Sequence, residues 1–257
     1  MHIAVFTGGE APAPQAAQGY FSQFPADITI AADSGLETLE RYKSFYGAHF
    51  EPAAILGDMD SLSCPSLLTQ YPTERIQTFP ADKDYSDTEL ALEHAHTMLT
   101  TAQEGTSSAP HRITLVGAGG GRVDHFLAVF DLFATALRPD VWLTPQQALW
   151  YASAGSTFKI AGIGLQDMIS VARTSSVRNG GAIKSTGLQW EWEHFRKEGM
   201  ASLSNRIQPA FYNAGKSIHI TIEESEFVLI LPLHATVLRT NAETQPSAGD
   251  SSSNRRR

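Results

Sequence analysis

The sequence predicts an α/β domain built on a mainly parallel sheet, followed by an all-β sandwich, and three observations carry that reading. Short apolar runs at Ile3–Phe6, Ile28–Ala31, Ala53–Leu56, Ile113–Val116 and Val141–Leu143 alternate with helical or loop-like stretches, the rhythm of β-α-β units. From about Gln147 the texture changes to short alternating segments, "STFKI", "MISVARTS", "SIHITIEE" and "EFVLILPL", separated by turns rich in Gly, Asn and Ser. A chain of 257 residues that is 42% hydrophobic and 18% charged has enough apolar material for two cores. The expected division is an α/β domain over 1–145, a β-sandwich over 146–239 and a tail over 240–257. That tail, "TNAETQPSAGDSSSNRRR", lacks apolar periodicity and reads as disordered.

Several of the first five strands end at Gly or Asp. In open α/β sheets ligands bind outside the carboxyl ends of the strands, so the residues just after each run are the ones to inspect. A helix is expected from Ser86, where Ser86 and Glu89 form a capping box and Leu92, Ala95 and Leu99 share one face. A second helix near Arg122 places Val123, Phe126, Phe130, Phe133 and Leu137 on one stripe, which is expected to be buried. "FVLILPL" from Phe227 is too short to span a bilayer and contains Pro232, so it reads as a strand.

Bulk charge narrows the function classes. The net charge is −8 and the only basic cluster is the three C-terminal arginines, so no footprint for a nucleic-acid backbone is present. The single cysteine, Cys64, rules out an internal disulfide, and "MHIAVFTGG" enters a strand pattern without the regions of a signal peptide; a cytoplasmic protein is expected. Cys64 has no basic neighbour in sequence to activate it. His94 and His96 of "EHAH" stand two apart on a helix and share no face, which argues against a zinc site.

Two glycine-containing motifs suggest phosphate binding. "AFYNAGKS" from Ala210 fits a relaxed P-loop pattern, but the following "IHITIEE" alternates like a strand, so Asn213-Ala214-Gly215 reads as a hairpin turn. "GAGGGR", Gly117 to Arg122, lies between a buried strand and a helix. It reads either as an anion cradle of free backbone N–H groups with Arg122 beside them, or as a tight strand-to-helix connection.

The carboxylates form a set. Asp33 follows the second strand, Asp58 and Asp60 the third, Asp82, Asp84, Asp87 and Glu89 fill the loop and helix start after Phe79, and Asp124 follows "GGGR". Taken singly, several could be helix or turn caps. "GDMDS" resists that explanation, because two acids on alternate residues directly after a buried strand cannot both cap. Crowded carboxylates raise one another's pKa unless a cation sits among them. Mg²⁺ suits them, since it takes oxygen ligands and commonly combines one or two carboxylates with substrate phosphates. Lys83 and Arg122 would offset the remaining charge.

In this order, "AADSG", "GDMDS", "DKDYSDTELAL" and "GAGGGRVDH" resemble the thiamine pyrophosphokinase (thiamine diphosphokinase) family, in its bacterial form, and the resemblance extends through "STGLQW" and "ASLSN". It implies a Rossmann-like α/β domain followed by a β-sandwich, a homodimer with sites between subunits, and transfer of the diphosphate of ATP to the hydroxyethyl oxygen of thiamine with release of AMP. The resemblance also implies roles. Asp58, Asp60 and Asp87 match the Mg²⁺ carboxylates, and Asp124 joins them as a catalytic residue. Asp33, Lys83, Asp84, Ser86, Gly120, Gly121 and Arg122 match the ATP and diphosphate side. Ser204 and Asn205 match the thiamine side, with Trp190 as an aromatic neighbour. Ser34, Met59 and Gly119 depart from the family pattern. The alternatives are a diphosphokinase of the same architecture acting on another hydroxyalkyl heterocycle such as a pterin, and a nucleotide-binding sensor without turnover.

Overall fold

A computed structural model describes residues 1–103 and 111–241; the expected tail falls outside them from residue 242 onward. The first half runs β1 (His2–Phe6), α1 (Gln18–Gln23), β2 (Ile28–Ala32), α2 (Gly35–Tyr46), β3 (Pro52–Gly57), β4 (Ile76–Thr78), α3 (Asp87–Gln103), β5 (Arg112–Val116), α4 (Val123–Asp131) and β6 (Val141–Leu143). All five expected strands form. Together with β4 they pair in parallel in the order β4-β3-β2-β1-β5-β6. β4 has no counterpart in the sequence reading: it is a short edge strand in which only Ile76 is even half-buried, so it leaves no apolar run.

The second half runs β7 (Gln147–Ser153), β8 (Ser156–Ala161), β9 (Ile169–Arg173), β10 (Ala182–Thr186), β11 (Ser202–Asn205), α5 (Pro209–Asn213), β12 (Ile218–Glu224), β13 (Glu226–Pro232) and β14 (Thr236–Asn241). β14 extends two residues past the expected start of the tail at 240. The segment "FVLILPL" becomes the greater part of β13, between β7 and β9. Among the described residues no helix is long and apolar enough to cross a membrane.

The halves do not own separate sheets. β7 turns back on β6 and pairs antiparallel with it, so one ten-stranded mixed sheet runs β11-β9-β13-β7-β6-β5-β1-β2-β3-β4. The expected boundary at 145/146 lies inside the connecting turn, where the Thr144 N–H and hydroxyl both donate to the Gln147 carbonyl at 2.9 and 3.1 Å. A turn this tight is no linker. The second sheet, β10-β12-β8-β14, is antiparallel throughout.

Alternation along the strands separates two cores. Ala4 and Phe6 of β1 point to one face, where α2 adds Leu36, Leu39 and Tyr42; the same cluster continues through Trp150 into Phe158, Ile160 and Ile220 of the second sheet. Ile3 and Val5 point to the other, covered by α3 through Ala91, Leu92, Ala95 and Leu99, as its sequence stripe predicts. The α3 start also matches: the Ser86 N–H donates to Glu89 Oε2 at 2.8 Å and the Glu89 N–H to Ser86 Oγ at 3.3 Å.

Two expectations need correction. The α4 stripe is buried only toward its end: Phe133, in a 3₁₀ turn after the helix, is fully buried, whereas Val123 is 71% and Phe126 36% exposed. Asn213-Ala214-Gly215 is not a hairpin turn. It ends α5, with Gly215 at φ +62°, and leads into β12, so the chain offers no strand-loop-helix for a P-loop there.

α2 begins in close contact with β1. A Cβ on the buried Gly35 would lie 2.2 Å from the Phe6 carbonyl oxygen and 2.6 Å from Thr7 Cα, both backbone atoms with little freedom to yield. Gly35→Ala is therefore expected to destabilise by about 2 kcal/mol, read as a lower urea midpoint at unchanged m-value; an unchanged midpoint would show that α2 can slide outward freely.

Candidate functional site

Three carboxylates converge where the parallel strands end. Asp33 follows β2, Asp58 follows the last residue of β3, and Asp87 opens α3; one oxygen from each lies within 4.8 Å of the others. Backbone geometry builds the cluster. Asp33 has φ +46°, a left-handed conformation that Asp tolerates better than most residues, with its N–H held by Leu56 O at 2.8 Å. Gly57, at φ +142°, lets the chain pass beneath: a Cβ there would meet Asp33 Cβ at 3.1 Å and Asp87 Cγ at 3.2 Å. The Thr7 and Thr88 hydroxyls, 2.5 Å apart, pin the start of α3 to the end of β1.

Capping does not explain Asp33. The N-cap of α2 is Ser34 and no side chain caps it, while Asp33 Oδ1 is buried with no hydrogen-bond partner. An orphaned carboxylate oxygen beside two other carboxylates is the donor set of a hard-cation site. Lys83 reaches into it, with Nζ 3.0 Å from Asp58 Oδ2 and 3.1 Å from Asp87 Oδ1. The hydrogen bond from Lys83 holds the Asp58 carboxyl below its ordinary value. Burial pushes Asp87 up, and the neighbouring Asp58 and Asp33 charges add to that against the pull of Lys83. Burial disfavours the Lys83 charge, yet its two carboxylate partners keep the ammonium above its usual range.

The metal set expected from the sequence was Asp58, Asp60 and Asp87; the structure groups Asp33 with Asp58 and Asp87, and Asp60 lies outside. Met59, at φ +64°, turns the chain so that Asp60 is exposed, accepting from the Ser61 hydroxyl at 2.9 Å. Asp82 and Asp84 face solvent, and Ser86 is engaged in the cap of α3. Only half of the anion-cradle reading of the Gly-rich loop finds room. The Gly117, Ala118 and Gly119 N–H groups are already taken by Leu143, Gly8 and Glu10 carbonyls, while Gly120 and Gly121 adopt positive φ beyond them. Arg122 and Asp124 are exposed and pair with each other, Nε to Oδ1 at 3.1 Å; this contact depresses the Asp124 pKa to about 2. Neither belongs to the carboxylate trio.

On the expected acceptor side, Trp190 is 43% exposed, not a core residue, with the Arg206 guanidinium 5.5 Å from its ring centre. Ser204 is exposed at φ +56°. Asn205 differs from expectation: it is fully buried, and its amide is spent inside the fold. It donates to Trp190 O at 2.7 Å and accepts from the Trp190 and Arg206 N–H groups at 3.2 and 2.9 Å. These bonds tie Asn205 to the backbone of Trp190. Asn205→Ala should cost about 1–2 kcal/mol and redshift the tryptophan emission as Trp190 loosens; unchanged stability and emission would leave Asn205 without a hold on Trp190.

A cavity of about 550 Å³ lies elsewhere, between Phe126, Leu127 and Phe130 of α4 and the sheet residues Leu149, Ala172 and Ile230. Its apolar walls suit contact with another surface better than charged chemistry, and the trio takes no part in it.

Residues 23–143, which contain the whole trio, Lys83, Arg122 and Asp124, match the model of the thiamin pyrophosphokinase catalytic domain. That segment is a thiamin pyrophosphokinase catalytic domain. Solved structures share the fold over most of the chain. The thiamin pyrophosphokinase family protein of Enterococcus faecalis aligns at TM-score 0.62 and 19% identity, covering 90% of this chain and 99% of its own. For the enzyme of Bacillus subtilis the values are 0.63, 16%, 90% and 99%, and for that of Geobacillus thermodenitrificans 0.58, 22%, 90% and 97%. No curated protein sequence matches the chain. Trp190, Ser204 and Asn205 lie outside the segment that the thiamin pyrophosphokinase catalytic model covers. The sequence places Asp33 on the nucleotide side; the structure also brings it to Asp58 and Asp87, and its position directly after a buried parallel strand is the same signal that marks Asp58.

Proposed function

We propose that the protein is an ATP:thiamine diphosphotransferase. The observation that supports this most is the trio Asp33, Asp58 and Asp87 with Lys83, at the carboxyl ends of the strands and inside the family segment. In the proposed reaction the thiamine hydroxyethyl oxygen bonds to the β-phosphorus of ATP, the bond from that phosphorus to the α,β-bridging oxygen breaks, and AMP leaves with that oxygen while the hydroxyl proton passes to solvent. Such a transfer asks little covalent work of the protein and depends on positioning and charge. The trio would hold Mg²⁺, which when bound neutralises charge on the transferring diphosphate. Lys83 and Arg122 supply further positive charge, and Gly120, Gly121 and Asp124 border the phosphates. Trp190 and Ser204 present an exposed face to the thiamine ring, with Asn205 acting through Trp190.

The finer fold reading, a Rossmann-like catalytic half with a β-sandwich acceptor half, belongs to the same proposal, as does a cytoplasmic location. So does a homodimer: the uncovered residues Phe126 and Leu127 and the apolar cavity beside them would be shielded by a second copy. The test is AMP formation from ATP and Mg²⁺ with and without thiamine, with mass detection of the product. Thiamine-dependent AMP release together with thiamine diphosphate supports the reading; ATP binding without AMP would reject it.

A further inference from the structure

Lys83 does more than neutralise charge nearby. Its ammonium stands between Asp58 and Asp87, within 3.1 Å of an oxygen on each, and its side chain is only 14% exposed. A divalent ion bound by the trio would call on the same carboxylates at about 2.0–2.1 Å, and two cations cannot share them at that range without strong repulsion. Three carboxylates against one ammonium still leave excess negative charge, and the buried Asp33 Oδ1 has no partner at all. The site is thus held together and yet left attractive to a stronger cation.

We propose that Lys83 is a stand-in cation that exchanges with the metal. It keeps Asp58 and Asp87 together before loading; on loading it is released from them and turns to the anionic diphosphate group of the substrate, so that metal entry arms the phosphate contact. A flexible four-carbon stem ending in a point charge suits this movement, which a planar, forked guanidinium would perform poorly. The inference rests on the metal reading of the trio given above, and makes Lys83 a positioning residue for it.

Mn²⁺ is the probe, with free ion counted by electron paramagnetic resonance on the full chain. Lys83→Met and Lys83→Gln are each expected to bind Mn²⁺ about fivefold or more tightly than the unaltered protein, since no resident charge must be displaced. Limited acetylation of the unaltered protein, followed by peptide mass spectrometry, supplies a readout that a static neighbouring charge would not move. Acetylation of Lys83 should rise on adding Mn²⁺ and fall again when inorganic pyrophosphate is added with it. Unchanged or weaker Mn²⁺ binding in both variants, or Lys83 acetylation indifferent to Mn²⁺, overturns the exchange and leaves the metal site standing. No saturable Mn²⁺ binding by the unaltered protein removes the metal site, and the exchange with it.

Discussion

Asp33→Asn is expected to lower thiamine diphosphate formation by about a hundredfold or more, about 3 kcal/mol of transition-state stabilisation. The same substitution should raise the melting temperature of the metal-free protein by about 2–4 °C. Both effects have one cause. Asn preserves the shape of Asp33 and tolerates its left-handed φ of +46°, so the backbone is undisturbed and only a charge is lost. That charge lies among two other carboxylates and contributes to the raised pKa of Asp87. Its removal relieves repulsion within the trio and weakens the site that the proposed reaction needs. Steady-state kinetics at saturating Mg²⁺ and calorimetry in chelator check the two halves. Full activity with unchanged melting would remove Asp33 from the site.

The second large effect concerns acid stability and originates at the opposite end of β1. His2 is buried, with Nδ1 3.0 Å from Pro25 O and Nε2 2.8 Å from Thr114 Oγ1, which in turn lies 2.6 Å from the Tyr20 hydroxyl. The network closes when Nδ1–H donates to Pro25 O and Nε2 accepts from Thr114, a neutral ring. Burial, helped by the Arg112 charge, outweighs the Pro25 carbonyl and lowers the His2 pKa from 6.5 to about 4. Between these values the unfolded chain binds the proton and the folded chain does not, so stability falls as pH falls through that window. The expected loss is about 2 kcal/mol by pH 5 and about 3 kcal/mol near pH 4. Urea titrations from pH 7 to 4.5 should show a steeper decline for the unaltered protein than for His2→Gln, in which this proton is absent. Equal slopes would mean that His2 does not govern acid sensitivity.

The contrast between what the sequence reveals and what it conceals follows from burial. β1, β2, β3, β5 and β6 are legible because parallel strands covered on both faces must be apolar along their length. β4, exposed at the edge, leaves no such trace. The α4 stripe shows the limit of periodicity: Phe126, Phe130 and Phe133 do share a side, but the pattern cannot say whether this chain or another surface covers it. At the site, the segments carrying Asp33, Asp58 and Asp87 stand out as acids after strands and at a helix start. Which oxygens meet depends on positive φ at Asp33 and Met59, invisible in residue type. Asn205 is the clearest case, since a polar residue in a polar motif gave no sign that its amide faces inward onto Trp190.

The turn between Thr144 and Gln147 has a bearing on how such a chain can be altered. Because β6 and β7 are neighbours in one sheet, cutting the chain there would strip a partner from Val141, Trp142 and Leu143, all fully buried, and expose a raw strand edge prone to pairing with other molecules. The half bearing Trp190 and the half bearing the carboxylates are therefore not cassettes. Recombination that exchanges one for another must also match a β-hairpin register across the join, whereas point changes in the loops at the strand ends leave that register untouched. Altered ligand preferences in this architecture are therefore more readily reached by drift in those loops than by shuffling of modules.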